Sequence, residues 1–316
     1  MNEPSREELL ARVARDYYLR NRSKVELAQS YGISRFQVAR MLDEARLSGI
    51  VDIEVHFPAA VSTADAGRLK SLLGIRHVII TDGAVEEGQV REILSRAAAE
   101  ELSREARAGE TVGISWSRTL DIASRHVEKL PKCDIVQLAG ALPSAGSNSL
   151  EIIQRLGHLS GGRTWPLWAP LVVEDVSTAA GLRRQPEIAD ALAKADSLDL
   201  AVVAIGAWRS NLSTVWERVD NKVRTEATQA GAVAECSGRL LDMDGLPVTS
   251  GLDLRVIAVT VEQLRRTPRV IAVAQGAARA DAVRACAKAG FITTLIVDDA
   301  LASALTAAME EDRKII

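Results

Sequence analysis

From about Ala64 onward, this 316-residue chain alternates short runs that are apolar on both faces with alanine-rich stretches of helical period. Strands buried on both faces belong to parallel sheets, because the crossover helices that join parallel strands cover the sheet on each side. The runs predict strands at Ile75–Ile80, Thr111–Ile114, Asp134–Leu138, Leu200–Ile205, Ala232–Glu235, Arg255–Val259, Arg269–Ala274 and Thr293–Val297. The intervening periodicity predicts helices over Glu87–Arg107, Ser117–Glu128, Ser149–Leu159, Pro186–Ala195, Arg279–Ala289 and Ala300–Glu310. The fold class expected is therefore α/β, with a mostly parallel sheet.

The first 54 residues follow a different pattern: three helices, then a short strand. Within Glu26–Leu42, the apolar residues Leu27, Tyr31, Ile33, Val38 and Met41 have the spacing by which two crossed helices bury one seam. Ala28 is small where the second helix presses closest, and Gly32 stands where the chain reverses, a position that favours positive φ. Ser23 with Glu26, and Ser34 with Gln37, each form the pattern of a capping box at a helix start. Together these features specify a helix-turn-helix. Leu9, Leu10, Val13 and Tyr17 share a face of the preceding helix and close the small core. After the last helix, Gly49 is the stop and the alternation of Val51, Ile53 and Val55 predicts a half-buried strand.

A helix-turn-helix places its second helix in the major groove of double-stranded operator DNA, here with Ser34, Arg35, Phe36, Gln37 and Arg40 outermost. Arg35 and Arg40 suit guanine edges or phosphates, and Gln37 suits adenine. The competing reading is an ordinary helical hairpin for protein contacts. The nine basic and nine acidic residues up to Glu54, and a net charge of −3, supply no bulk attraction to nucleic acid. The motif geometry weighs more than that balance. A DNA-binding domain is expected over 1–56, a linker over 57–65 and an effector-binding, oligomerisation domain over 66–316.

Hydrophobic residues at 47% and charged residues at 26% suit a soluble chain with a full core and exclude a disordered one. The longest apolar stretches, such as Ala201 to Trp208, are too short to span a bilayer. The opening Met1–Glu8 is acidic and polar, unlike a signal peptide, so a cytoplasmic protein is expected. Cys133, Cys236 and Cys286 are odd in number and far apart, and His56, His77, His126 and His158 are scattered. No disulfide framework, metal site or cofactor is expected.

Three strand-to-helix junctions look built for a small polar ligand. Val112–Leu120 ends a strand at Gly113, Ser115, Trp116 and Ser117, then opens a helix with Arg118 and Thr119; free backbone N–H groups there suit a phosphate or carboxylate. Gln275, Gly276 and Arg279 follow another strand, and Asp298 ends a third. In an open α/β sheet such strand ends converge on one crevice. Glu235 ends an apolar run and is a further candidate, while Trp116 and Trp208 either stack on a sugar face or fill the core. The cations and helix start are expected to hold the ligand's anionic end, with Glu235 and Asp298 accepting from hydroxyls at the opposite end.

The chain resembles the SorC family of sugar-responsive bacterial transcriptional regulators along nearly its whole length. The resemblance runs through Ile33-Ser34-Arg35, Val38–Leu42, Ala45-Arg46 and Gly49-Ile50-Val51, then Val112–Leu120, Val136–Gly140, Ala169-Pro170, Asp199–Gly206 and Gly290–Asp298. The Ser-Trp-x-Arg-Thr-Leu segment is the most specific. Membership implies a winged helix-turn-helix joined to a Rossmann-like effector domain resembling sugar-phosphate isomerases. It also implies homodimers or homotetramers whose operator affinity responds to a sugar, polyol or sugar phosphate, with Gly140 at the effector site. The chain departs from the family in carrying Ser117, Ala141 and Gln275 where glycines are common, and Arg279 where lysine is common.

The rival from another class is a sugar-phosphate isomerase-like enzyme with an N-terminal DNA-binding extension. Its acid/base group would have to be Glu235, Asp298 or Asp299, since no histidine lies in the three junctions. No enzymatic activity is expected. A regulator sensing a non-carbohydrate metabolite is the remaining alternative.

Overall fold

A computed structural model describes residues 5–51, 60–61, 63–82, 87–141 and 149–315. The chain divides into two compact units, Met1–Phe57 and Pro58–Ile316.

The first unit consists of α1 (Arg6–Tyr18), α2 (Lys24–Tyr31) and α3 (Arg35–Leu47). Leu10, Val13, Ala14, Leu27, Val38, Met41, Leu42 and Ala45 form its core, with Leu9, Tyr17, Ala28, Tyr31 and Ile33 packed against it. Both expected capping boxes form, at Ser23 and at Ser34, and Ser5 with Glu8 makes another at the start of α1. Gly32 closes α2 at φ 66° and Gly49 follows α3 at φ 74°, conformations that cost an L-residue about 1 kcal/mol or more. Asp16 is buried and braces the unit: Arg15, Arg20 and Arg22 lie 3.3, 3.1 and 3.5 Å from its carboxylate. The Tyr31 hydroxyl donates to it at 3.1 Å. Burial pushes this carboxyl up, but the tyrosine and the arginines outweigh it and hold it below the usual range. Val51 packs on the core, while Ile53 and Val55 of the expected strand lie outside the described residues.

The second unit is built on a ten-stranded sheet. In chain order its strands are β1 (Ala60–Val61), β2 (His77–Asp82), β3 (Thr111–Ile114), β4 (Asp134–Gln137), β5 (Thr164–Trp165), β6 (Leu200–Ala207), β7 (Ala234–Cys236), β8 (Arg239–Leu241), β9 (Arg269–Ala274) and β10 (Thr294–Asp298). Its helices are α4 (Thr63–Leu73), α5 (Glu87–Glu105), α6 (Arg118–His126), α7 (Ser149–Ser160), α8 (Val176–Arg183), α9 (Pro186–Lys194), α10 (Asn221–Gln229), α11 (Val261–Arg266), α12 (Ala280–Lys288) and α13 (Asp299–Ile315). The spatial order is β1-β2-β10-β9-β6-β3-β4-β5; β7 adds to the end of β6 and β8 to β7. Every pairing from β2 to β5 along this path is parallel, whereas β1, β7 and β8 pair antiparallel.

Alternation along each parallel strand divides two cores. Val112, Ile114, Leu200, Val202 and Val273 face Leu94, Leu102, Leu120 and Leu156 of α5–α7. Ala201, Val203, Ala272, Leu295 and Val297 face Leu69, Val283, Leu301 and Leu305 of α4, α12 and α13. The layering is helix, sheet, helix, the arrangement that strands apolar on both faces demand.

Two expectations need correction. Arg255–Val259 does not form a strand. It is extended, but its amides pair with changing partners, Ile257 N–H donating to Leu171 O and Val259 N–H to Leu138 O. Such isolated bridges to two different segments never make a ladder. The expected linker over 57–65 also ends early, because α4 begins at Thr63; the rest of it up to 59, and 62, lie outside the described residues.

Candidate functional site

Connections leave β3 toward β4 on one side and return through β6 on the other, so the chain changes direction between β3 and β6. Ligands bind open α/β sheets in the crevice beyond the carboxyl ends of the strands at such a point. A cavity of about 800 Å³ lies there, walled by the ends of β3, β6, β9 and β10 and by the β7–β8 hairpin. Ser115, Trp116, Ser117, Arg118, Thr119, Gly140, Glu235, Gln275, Gly276, Arg279 and Asp298 all line it. The sheet thus brings together residues from five separate stretches of sequence.

Gly113 does not reach the cavity. It lies within β3, where a Cβ would stand 2.5 Å from Leu138 Cδ2 and 3.0 Å from Leu198 Cδ2, so this glycine serves close packing of the sheet. Gly140 has a comparable constraint at the wall itself: its Cβ would stand 2.7 Å from the Ala169 carbonyl oxygen and the Pro170 backbone.

The start of α6 forms one end of the site. Ser117 is its N-cap, its Oγ accepting from Leu120 N–H at 3.0 Å, and the helix start carries partial positive charge. Arg118 is exposed there, and Arg91 of α5 lines the same cavity. Arg279 lies across from Leu212, donating to its carbonyl at 3.4 Å, and also donates to the Gln275 carbonyl. Gly276, at φ 86°, turns the chain into this loop.

The carboxylates do not segregate as expected. Asp298 Oδ1 accepts from Gly276 N–H at 2.7 Å, so it sits beside the loop expected to hold the anionic end. The physical reason is that β9 and β10 are adjacent parallel strands, which places their carboxyl ends side by side. Glu235 is buried and occupies the hairpin wall. Its Oε1 accepts from Gly238 N–H at 2.7 Å and its Oε2 from Ser213 Oγ at 3.2 Å. Burial raises its carboxyl above the usual range, and these two donors offset only part of that.

Trp116 lines the cavity from a buried position, while Trp208 fills the core against Trp216, ring centroids 5.0 Å apart. The wall also contains Arg91, Asn211, Ser213, Arg218 and Ser237, which the sequence did not suggest. Ser237 Oγ donates to Ser115 Oγ at 3.1 Å. Asn211 and Ser237 hold φ of 62° and 51°, uncommon for residues other than glycine and a feature of ligand-clamping loops. A turn of this kind in Asn or Ser leaves no periodic trace in a sequence.

In the first unit, Ser34, Arg35, Phe36, Gln37 and Arg40 are all exposed. Gln37 Oε1 accepts from Ser34 N–H at 2.7 Å, closing the capping box, so this side chain already serves the helix start. Among the described residues no group of His, Cys, Asp or Glu could hold a metal ion, and no helix is long and apolar enough to cross a membrane.

Residues 60–307 match the Sugar-bind family, described as "Putative sugar-binding domain". The chain is 27% identical over 301 residues to the uncharacterized transcriptional regulator YjhU of Escherichia coli K12, covering 92% of each. It is 26% identical over 308 residues to the deoxyribonucleoside regulator of Bacillus subtilis, covering 95% of this chain and 97% of that one. The full-length sorbitol operon regulator SorC of Klebsiella pneumoniae superposes with a TM-score of 0.72 at 17% identity, over 96% of this chain and all of that one. A match over most of the chain, joined to relatives aligned over 92% or more of each chain, establishes that this protein belongs to the SorC family of sugar-binding transcriptional regulators.

Proposed function

We propose that this protein is a DNA-binding transcriptional regulator whose operator affinity is set by a carbohydrate bound in the cavity at the β3–β6 crevice. The observation that carries the reading is the convergence of α6's start, Arg91, Arg118 and Arg279 with Glu235, Ser115, Ser237 and Asp298 around one space. Cations and a helix start suit a phosphate, and carboxylates and hydroxyls suit the hydroxyls of a sugar or polyol. Ser34, Arg35, Phe36 and Arg40 contact the major groove, and two copies of the chain supply two half-sites. The ligand acts by favouring one arrangement of those copies over another.

The cavity does not suit an isomerase equally well. Its carboxylates are engaged by backbone and serine donors, and among the described residues no histidine lines it. The cavity binds its ligand without turning it over.

The test is a thermal-shift screen of sugars, polyols and sugar phosphates, followed by incubation with each hit. A ligand at a hundred times its Kd stabilises the protein by about 2.7 kcal/mol. Stabilisation without conversion of the hit supports the reading; conversion points to the enzyme. Replacing Arg279 with alanine should abolish the response to a phosphorylated hit while operator binding in its absence stays intact. A normal response to a phosphorylated hit in that variant would place its phosphate away from Arg279, and a screen in which only unphosphorylated sugars or polyols stabilise the protein would leave Arg279 without an anion to hold.

A further inference from the structure

We infer that Phe36 reads the C5-methyl group of a thymine in the operator, and that Gln37, although next to it, positions the helix rather than reading a base. This rests on the assignment of α3 to the major groove made above.

Phe36 is 89% exposed, whereas Val38, Met41, Leu42 and Ala45 on the same helix are buried. Phe36, Arg40, Asp43 and Leu47 recur at four, three and four residues, so they form the outer stripe directly opposite that core. Within the first turn of this stripe the chain places a phenylalanine beside an arginine. Cα–Cβ bonds tilt toward a helix N-terminus, so Phe36 projects toward whatever the start of α3 meets. An aromatic ring held in water without a partner surface gains nothing for the domain's own stability. In the major groove it gains a contact that only thymine offers, because the methyl group is the apolar feature of the base edges there.

Gln37 is the residue type that reads adenine, through its oxygen and its amide together. Its Oε1 is already held 2.7 Å from Ser34 N–H, and Ser34 Oγ accepts from Gln37 N–H at 3.2 Å. Reading adenine through both groups would compete with this cap. The cap instead fixes the turn from which Phe36 projects.

The experiment starts by selecting duplexes from a random pool with the full chain. Each thymine of the selected site is then replaced by uracil, which lacks only the methyl group, and the Kd is measured for the native chain and for Phe36→Ala. We expect one position per half-site at which uracil weakens the native chain about fourfold, the worth of one buried methyl group. Phe36→Ala should bind thymine and uracil duplexes alike there, with an unchanged Tm because the side chain is exposed. Placing 5-methylcytosine at that position should restore more binding than cytosine. If no thymine is methyl-sensitive in the native chain, or if Phe36→Ala keeps the sensitivity, the inference falls while the DNA-binding reading stands. If no duplex is enriched at all, the DNA-binding reading falls and takes the inference with it.

Discussion

Glu235 shows how one buried residue ties the cavity to the stability of the fold. Its carboxyl is raised by burial, so near its ordinary pKa of 4.5 the folded protein holds a proton that the unfolded chain releases. By linkage its contribution is most favourable below that value and is lost as pH rises through the raised folded value. Glu235→Gln keeps an oxygen for Gly238 N–H and removes the charge. Thermal unfolding across pH 5 to 8 should therefore lose part of its decline in this variant, and an unaltered profile would contradict the assignment. Gly140 makes a different claim at the same scale. A methyl group there meets backbone 2.7 Å away rather than a side chain that can turn aside. Gly140→Ala should cost about 1–3 kcal/mol in urea unfolding, the range of overpacked interiors. On the DNA side, Arg35→Ala or Arg40→Ala should each weaken operator binding by about 1–3 kcal/mol if it reads a base. Unchanged binding in both would refute that role.

At the scale of elements, α2 and α3 are specified almost entirely by local chemistry. The cap at Ser34 and the reversal at Gly32 need no distant partner, and both form as the spacing predicts. Ser34→Ala should lower the stability of the N-terminal unit by about 1 kcal/mol. Gly32→Ala should cost about as much or more, because the methyl group has space but φ is 66°. Urea unfolding followed by far-ultraviolet circular dichroism of these variants checks both, and equal stability to the native chain would show that the turn does not depend on its glycine. The parallel strands other than the two-residue β5 were equally legible, since runs such as Val270–Ala274 are apolar on both faces. The extended segment over 255–259 was not distinguishable from them. Its apolar content is the same, and only the identity of its partners, Leu138 and Leu171, makes it a brace instead of a strand. Helix α10 escaped notice because its sequence, Asn221–Gln229, is polar with few buried side chains, Val223 and Ala227.

For the molecule as a whole, charge and assembly belong together. Nine basic and nine acidic residues up to Glu54 leave a single N-terminal unit with weak attraction to the phosphate backbone. Asp16, one of those nine acidic residues, lies within ion-pair distance of Arg15, Arg20 and Arg22. Operator binding should then depend on two copies acting together, so a duplex with one half-site should bind far more weakly than one with two. A titration of both duplexes, with sedimentation to count the copies, tests this. Equal affinities, or a chain that is monomeric at micromolar concentration, would count against it.

The sequence by itself determined the fold class, the three-helix unit and the residue types at the strand ends, because strand alternation, capping boxes and a glycine turn are all local signals. What it could not reach was decided by the tertiary structure. Arg91, Ser213 and Ser237 join the site only because α5, the loop after β6 and the β7–β8 hairpin fold over the same crevice. Gly113 leaves it because the side chains of Leu138 and Leu198 occupy the space on its open side. Asp298 stands beside Gly276 because β9 and β10 are adjacent in space although a helix separates them in sequence. Which strand lies next to which is a property of long-range pairing, and a pattern read within a few residues carries no record of it.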